Sequence, residues 1–140
     1  MINRLPKSPV GYNELAGLLT AKGDEGSLAT AEEVATKAVE LDPKSGLYLD
    51  ALGWVHFKQE KFDAALESLR KAGDMAPDNP EVQYHLGAAL AKAGKVPESL
   101  IHLKLAIVNG AGSDVAKEAT SLLKQISGKE EAPAPAPPER

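Results

Sequence analysis

Small and apolar residues in the middle of the chain recur with the spacing of an amphipathic helix. Four of them, spaced i, i+3, i+4 and i+7 on one helical face, are Leu49, Leu52, Gly53 and His56. After a polar turn at residues 59–61, a second face of the same kind is formed by Ala65, Leu69 and Ala72. The pattern therefore predicts a helical hairpin, in which two short helices are joined by a tight turn.

The hairpin pattern returns further along the chain with a constant offset. Leu52 and Leu86 stand 34 positions apart, as do Leu69 and Leu103. One such hairpin cannot bury its apolar face alone, so the copies are expected to stack on one another.

A third and looser copy lies upstream, where residues 15–17 match residues 52–54 and a second helix is predicted over residues 28–41. Aligning both helices requires three extra residues, 25–27. We place them in the turn, because loops tolerate insertions better than packed helix crossings do. An alignment without the insertion would put Leu19 at the close crossing of the two helices.

A last apolar stripe follows a break at residues 109–113. Its members are Val115, Ala116, Ala119, Leu122, Leu123 and Ile126. The stripe predicts a seventh helix that caps the stack and ends at Gly128. The remainder alternates Pro and Ala with charged residues, a composition that is typical of disordered segments.

These elements predict an all-α fold, an α-solenoid of three helix-turn-helix hairpins plus a C-terminal capping helix. A flexible lead is expected over residues 1–8 and a disordered Pro/Ala-rich tail over residues 127–140. The repeat domain, residues 9–126, divides into hairpins at about 9–45, 46–79 and 80–113, and a capping helix at 113–126.

A 34-residue hairpin with Leu-Gly in its first helix, small residues in its second and Pro at its end resembles the tetratricopeptide repeat. In the middle copy this pattern falls on Leu49, Leu52, Gly53, His56, Phe62, Ala65, Leu69, Ala72 and Pro77. The third copy departs from it with Ser99 where Ala is usual and Ala111 where Pro is usual. The resemblance implies a protein-binding scaffold, with partners held in a concave groove lined by the first helix of each hairpin.

On the family geometry, the groove takes residues from all three first helices. The candidate partner-binding residues are Asn13, Gly17, Asp50, Trp54, Phe57, Lys58, Glu81, Tyr84, Ala88 and Lys92. Trp54, Phe57 and Tyr84 would form an aromatic floor, since aromatic residues are typical interface anchors. Lys58 and Lys92 would add a positive pair suited to an acidic peptide. The alternative is that Trp54, the single Trp of the chain, packs over Gly17 and joins two hairpins.

Some family members hold a C-terminal carboxylate with a clamp of Lys, Asn and Arg on the first helices. The matching positions here are Asn13, Gly17, Ala51, Glu81 and His85. These residues do not assemble a clamp, and Glu81 would repel a carboxylate. An adaptor for chaperone tails of that type is therefore not expected.

The composition of the chain restricts the classes of function and location that remain open. Apolar residues make up 43% of the chain and aromatic residues only 4%, so the core must be built mainly from Ala, Leu and Val. A net charge of −4 argues against a nucleic-acid-binding surface, and the chain has no Cys. No apolar run approaches the roughly 20 residues of a membrane-spanning helix, and the N-terminus lacks the apolar core of a signal peptide. A cytoplasmic protein and a piece of a longer, periplasmic protein both fit.

We expect no catalysis, cofactor or metal site. The chain has neither a nucleophile elbow nor a phosphate-binding loop. His56, His85 and His102 fall at three different repeat positions without the spacing of metal ligands. The partner is expected to be a protein or peptide.

Two alternatives stay open. In the first, the chain is the terminal part of a longer array or self-associates. The motif Leu-Gly-Trp at residues 52–54 resembles the terminal repeats of long bacterial family members. Several of those proteins serve the cell envelope, including polysaccharide export. In the second, the groove aromatics bind carbohydrate.

Overall fold

The protein is described here by a computed structural model that covers the backbone of residues 8–131 and the side chains of residues 8–128. Within these residues the regular structure is entirely helical, which confirms the predicted fold class. The helices are α1 (Pro9–Lys22), α2 (Glu25–Leu41), α3 (Gly46–Lys58), α4 (Phe62–Met75), α5 (Pro80–Lys92), α6 (Val96–Asn109) and α7 (Asp114–Glu131).

The helices form two layers. Pairs α1–α2, α3–α4 and α5–α6 are hairpins, and the second helix of each pair packs against the first helix of the next element. The first helices α1, α3 and α5, together with α7, also touch in sequence and form the inner layer. None of the helices in the described residues is both long and apolar enough to cross a membrane.

Capping residues mark the starts of several helices, and left-handed residues lie in the turns within the hairpins. Ser8, Asp24, Ser45 and Asn79 each accept a hydrogen bond from a backbone N–H in the first turn of α1, α2, α3 and α5, respectively. Such N-caps satisfy donors that the helix itself leaves free. The turn that leads into the second helix passes through a left-handed residue in all three hairpins, and these residues are Gly23, Glu60 and Gly94.

The three extra residues of the first hairpin are placed differently from the prediction. They form the first turn of α2, which begins at Glu25, and do not lengthen the preceding turn. The reason is local, because the Asp24 carboxylate accepts hydrogen bonds from both the backbone N–H and the hydroxyl of Ser27, at 2.9 and 2.8 Å. The predicted register of α1 stands, since Ala16 lies at the crossing and is 1% exposed.

The end of α7 also differs from the prediction. The helix passes through Gly128 and continues to Glu131, so residues 127–131 of the segment predicted to be disordered are helical. Gly128 does not adopt the left-handed conformation that ends a helix. A single Gly inside a helix costs only about 0.5–1 kcal/mol, which is too little to end it by itself. Residues 1–7 and 132–140, which hold most of the predicted lead and tail, lie outside the described residues.

Helix crossings inside the hairpins are close because glycine meets leucine there. A Cβ on Gly53 would lie 2.7 Å from Cγ of Leu69, and one on Gly87 would lie 2.7 Å from Cδ2 of Leu103. The sequence pattern pairs Gly53 with Ala65, whose carbonyl oxygen is 3.3 Å from the same point, but the tighter contact is with Leu69. Large and small residues are therefore matched across each crossing.

Candidate functional site

The inner layer contains two adjoining cavities that share Trp54, Lys58 and Tyr84. The first, which we name the apolar chamber, has a volume of about 440 Å³ and is lined by Trp54, Phe57, Lys58, Tyr84, Ala88, Ala91, Lys92, Val96, Leu122, Gln125 and Ile126. The second, which we name the polar chamber, has a volume of about 510 Å³ and is lined by Asn13, Gly17, Thr20, Ala21, Leu47, Asp50, Ala51, Trp54, Lys58, Glu81, Tyr84, His85 and Glu118.

All ten residues that the sequence assigns to a groove line one or both chambers. Helix periodicity explains their common direction, because equivalent positions of stacked helices point the same way. Gly17, Trp54, Ala88 and Leu122, for example, occupy one repeat position on α1, α3, α5 and α7. The structure thus brings the ten residues onto one surface, whereas their binding role is a prediction.

Trp54 lies at the boundary of the two chambers and is half-buried. Its ring stacks on Phe57 with 4.6 Å between centroids and on His85 with 3.9 Å. Lys58 Nζ lies 5.2 Å from the ring centroid, within the range of a cation–π interaction. Phe57 belongs to α3, as Trp54 does, and His85 belongs to α5. A Cβ on Gly17 would meet nothing within 4 Å, so Trp54 does not pack tightly over Gly17, and its stacking on His85 joins the second hairpin to the third instead.

A buried hydrogen-bonded pair, Asp50 and His85, supports the Trp54 ring from α5. His85 Nδ1 lies 2.9 Å from each carboxylate oxygen of Asp50, and the two side chains are 11% and 8% exposed. A carboxylate only accepts hydrogen bonds, so His85 donates from Nδ1. Asp50, one of the predicted groove residues, is therefore already paired, and it joins α3 to α5.

The sequence interpretation missed the wall that α7 contributes. Leu122, Gln125 and Ile126 line the apolar chamber, and Glu118 lines the polar chamber. Burial, and secondarily the negative charge of Glu118, raise the pKa of Tyr84 above its usual value. The signal that could have located this wall is the 34-residue offset, which carries Tyr84 onto Glu118 and places α7 as the first helix of a further repeat.

The other two histidines have separate partners away from the chambers. His56 Nε2 lies 3.4 Å from a carboxylate oxygen of Glu32, and His102 Nδ1 donates to the amide oxygen of Gln83 at 2.6 Å. Burial lowers the pKa of His102, which favours its neutral form. Among the side chains that the structure describes, there is no group of three or more His, Cys, Asp or Glu that could hold a metal ion.

Sequence comparisons relate this arrangement to known proteins. Residues 51–114 match the family model described as tetratricopeptide repeat. A TPR repeat-containing protein of Pseudomonas aeruginosa is 35% identical over 85 residues, which are 61% of this chain and 13% of that protein. The chain therefore spans about an eighth of the length of this curated relative.

Solved structures share the fold along most of the chain. The type III secretion translocator chaperone SycD of Yersinia enterocolitica superposes with a TM-score of 0.71 at 22% identity, covering 94% of this chain and 92% of that one. The first TPR of Spaghetti, bound to an HSP90 peptide, superposes with a TM-score of 0.68 at 20% identity, covering 85% and 95%.

Proposed function

The chain belongs to the tetratricopeptide repeat family, and we propose that it is a non-catalytic interaction module whose inner groove binds a segment of a partner protein. The observation that carries this proposal is the convergence of all ten predicted residues on two joined chambers of the inner layer. The peptide-bound structure of Spaghetti supports it by analogy, because that chain shares the fold.

The groove has the features of a surface that anchors a side chain. Trp54, Phe57 and Tyr84 offer half-buried aromatic area beside an apolar wall. Aromatic residues of this kind dominate many interfaces, because they bury much area and lose little rotamer entropy. The stacked helices hold these rings in place before binding, which reduces the ordering cost that a partner has to offset.

The polar chamber disfavours a free C-terminal carboxylate as the bound group. Glu81 and Glu118 line it, and the buried Asp50 adds a third carboxylate. Like charges at an interface suppress binding of the wrong partner. The proposed partner segment is therefore internal or has its C-terminus elsewhere, in contrast to the chaperone tails that other family members clamp.

Selection from a random nine-residue peptide library, followed by titration of the recovered synthetic peptides, tests the proposal. Binding should change the fluorescence of Trp54, and Trp54→Ala should weaken affinity by about tenfold or more, as expected for a central aromatic anchor. The matched control is Tyr48→Ala, which removes another half-buried aromatic of α3 that does not line the chambers. Both variants are compared at a temperature where circular dichroism shows native helix content.

The groove proposal fails if no peptide is recovered from the library. It also fails if the recovered peptides bind the folded Trp54→Ala variant as tightly as the parent chain. An equal loss of affinity in Tyr48→Ala would point to a general structural effect and would likewise overturn it.

A second candidate function is stacking of another hairpin, from a second copy or a longer chain, on α1. Leu18 is 69% exposed. Its equivalents on α3 and α5, Val55 and Ala89, are fully buried where those helices meet the preceding hairpin. An apolar side chain at this position is what a stacked array requires.

Light scattering across a range of concentrations tests stacking between copies. If α1 pairs with a second copy, the mass should rise with concentration, and Leu18→Lys should return the chain to a monomer. Leu105→Lys on α6, which changes another exposed leucine, should have no such effect. A constant monomer mass for the parent chain rules out the second copy as the stacking partner.

A further inference from the structure

The two chambers of the groove carry opposite charge. Lys58 and Lys92 border the apolar chamber, and among the side chains that the structure describes its lining contains no carboxylate. The polar chamber is lined by Glu81 and Glu118 as well as the paired Asp50, with Lys58 at the shared boundary. A ligand that crosses both chambers therefore meets positive charge at one end and negative charge at the other.

Hydrogen-bonding groups strengthen this contrast. The polar chamber includes Asn13, whose buried oxygen Oδ1 has no hydrogen-bond partner in the described structure. Together with the carboxylates of Glu81 and Glu118, it makes this chamber rich in acceptors. A lysine or arginine side chain supplies several donors and a positive charge, and so complements such a lining.

The apolar chamber fits a different side chain. Its walls are formed by Phe57, Leu122, Ile126 and neighbouring small residues, and its volume of about 440 Å³ admits a large aliphatic or aromatic group. Lys58 and Lys92 are both exposed at this chamber, where their amines are available to an acidic neighbour of that group.

Helix α5 sets the spacing between the two ends. Glu81 and Lys92 lie eleven residues apart on this helix, which corresponds to about 16 Å at about 1.5 Å per residue. An extended peptide covers that distance in about five residues at about 3.3 Å each. The charged groups of a bound segment should therefore be about five residues apart.

We infer that the groove binds an extended, bipolar peptide segment: an acidic residue beside a large apolar residue enters the apolar chamber, and a lysine or arginine about five residues away enters the polar chamber. This inference rests on the proposed function, because it specifies the chemistry of the same groove. It commits to a protein segment as the occupant, on the grounds of charge complementarity and reach.

Peptide selection with matched neutralising variants tests the inference. The parent chain should recover nine-residue peptides with an acidic and a basic residue about five positions apart. Lys58→Gln with Lys92→Gln should remove only the preference for the acidic residue, and Glu81→Gln with Glu118→Gln only the preference for the basic residue. Each pair should weaken a synthetic bipolar peptide by about threefold or more at low salt, since exposed ion pairs contribute modestly.

Gly17→Gln blocks the polar chamber without disturbing the fold, because a side chain on Gly17 meets nothing within 4 Å. It should weaken the bipolar peptide and leave a peptide that lacks the basic end unaffected. Gly128→Gln is the matched control, since Gly128 is also an open position in a helix and does not line either chamber.

The outcomes separate the two proposals. The bipolar inference is overturned if the selected peptides depend on Trp54 but show no charge preference. It is also overturned if both neutralised variants keep the charge preference of the parent chain. Either result leaves groove binding in place. Peptides that bind independently of Trp54, or a selection that recovers none, overturn groove binding and the inference with it.

Discussion

At the scale of single residues, the turn between α3 and α4 contains a strained position. Glu60 has a φ of 65°, and it is the only non-glycine residue with positive φ in the described chain. Gly23 and Gly94 occupy the equivalent turn position in the other two hairpins. Left-handed backbone costs an L-residue roughly 1–2 kcal/mol, because Cβ crowds the carbonyl oxygen.

Replacing Glu60 with Gly should therefore stabilise the protein. Relief of strain exceeds the extra entropy that glycine loses on folding, and we expect a net gain of about 0.5–1 kcal/mol in the free energy of unfolding. Urea denaturation measures it. Glu60→Ala removes the same side chain but keeps the strain, so it should give no comparable gain, and Gly94→Ala should destabilise. Equal effects of Gly and Ala at position 60 would contradict the argument.

The crossing residues show complementary size within single hairpins. The second hairpin pairs Gly53 with Leu69 and the third pairs Gly87 with Leu103, whereas the first has two alanines, of which Ala16 is 1% and Ala35 is 0% exposed. Packed interiors respond to a change of even one methyl group. The same crossing is thus filled in two ways.

A double-mutant cycle at Gly53 and Leu69 tests this complementarity. Gly53→Ala should cost about 1–3 kcal/mol by overpacking, and Leu69→Ala about 2–5 kcal/mol by leaving a cavity. The double variant reproduces the alanine pair of the first hairpin, so its cost should fall below the sum by about 0.5 kcal/mol or more. Strict additivity in denaturation experiments would show that the two residues do not share this space.

At the scale of helices, polar contacts join α2 to the end of α3 and the turn that follows it. The carboxylate of Glu32 accepts a hydrogen bond from the amide of Gln59 at 3.0 Å, and it lies 3.3 Å from the amine of Lys61. The hydrogen bond from Gln59, followed by contacts with His56 and Lys61, lowers the pKa of Glu32 below its ordinary value of 4.5. The ionised form is therefore favoured in the folded protein.

The contribution of Glu32 to stability should depend on pH. A depressed folded-state pKa stabilises the protein above the unfolded value, and this stabilisation is lost as pH falls through the folded value. Glu32→Gln, which mimics the protonated acid, should be less stable than the parent at pH 7. The difference should shrink below pH 4.5. If the difference in stability between the parent and Glu32→Gln stays constant from pH 7 to below pH 4.5, the negative charge of Glu32 has no role.

Helix α7 acts on both the core and the groove. Ala119 and Ile126 are buried in the last core cluster, with Leu103 and Ala106 of α6, and Ala116 is buried as well. The face that turns inward contributes Leu122 and further residues to the apolar chamber. A capping helix in this position therefore completes the stack and one wall of the candidate site.

At the scale of the whole molecule, stability should be a sum of hairpins and the interfaces between them. Deleting residues 113–140 removes α7 and exposes the apolar surface of α6. At about 1.5–3 kcal/mol for each large buried aliphatic side chain, the loss should reach about 4 kcal/mol or more, much of the stability of a small domain. Thermal melting and limited proteolysis report it.

The matched truncation removes only residues 132–140. The removed segment is rich in Pro and Ala and offers little apolar surface to bury, so we expect the melting temperature of the truncated chain to be unchanged. A long truncation that melts like the full chain would show that α7 is not part of the cooperative unit. A short truncation that melts much lower would place the domain boundary beyond Glu131.

Sequence periodicity determined the architecture, and the resemblance to the tetratricopeptide repeat indicated where the candidate groove lies. The helix period and the 34-residue offset are local properties, and they specify which residues share a face before any contact is known. The geometry of the tetratricopeptide repeat family, applied to this repeat register, identified Asn13, Gly17, Trp54 and the other groove positions, and all of them line the chambers. Whether they bind a partner stays a prediction, because the family determines a scaffold and not its ligand.

Only the tertiary structure decided what these side chains touch. The stacking of Trp54 on His85, the pairing of His85 with Asp50 and the tight contact of Gly53 with Leu69 join residues far apart in the chain. Such contacts depend on side-chain directions and on how helices settle against each other, which a repeat period does not encode. The period specifies the face on which a residue lies, and packing specifies its partner.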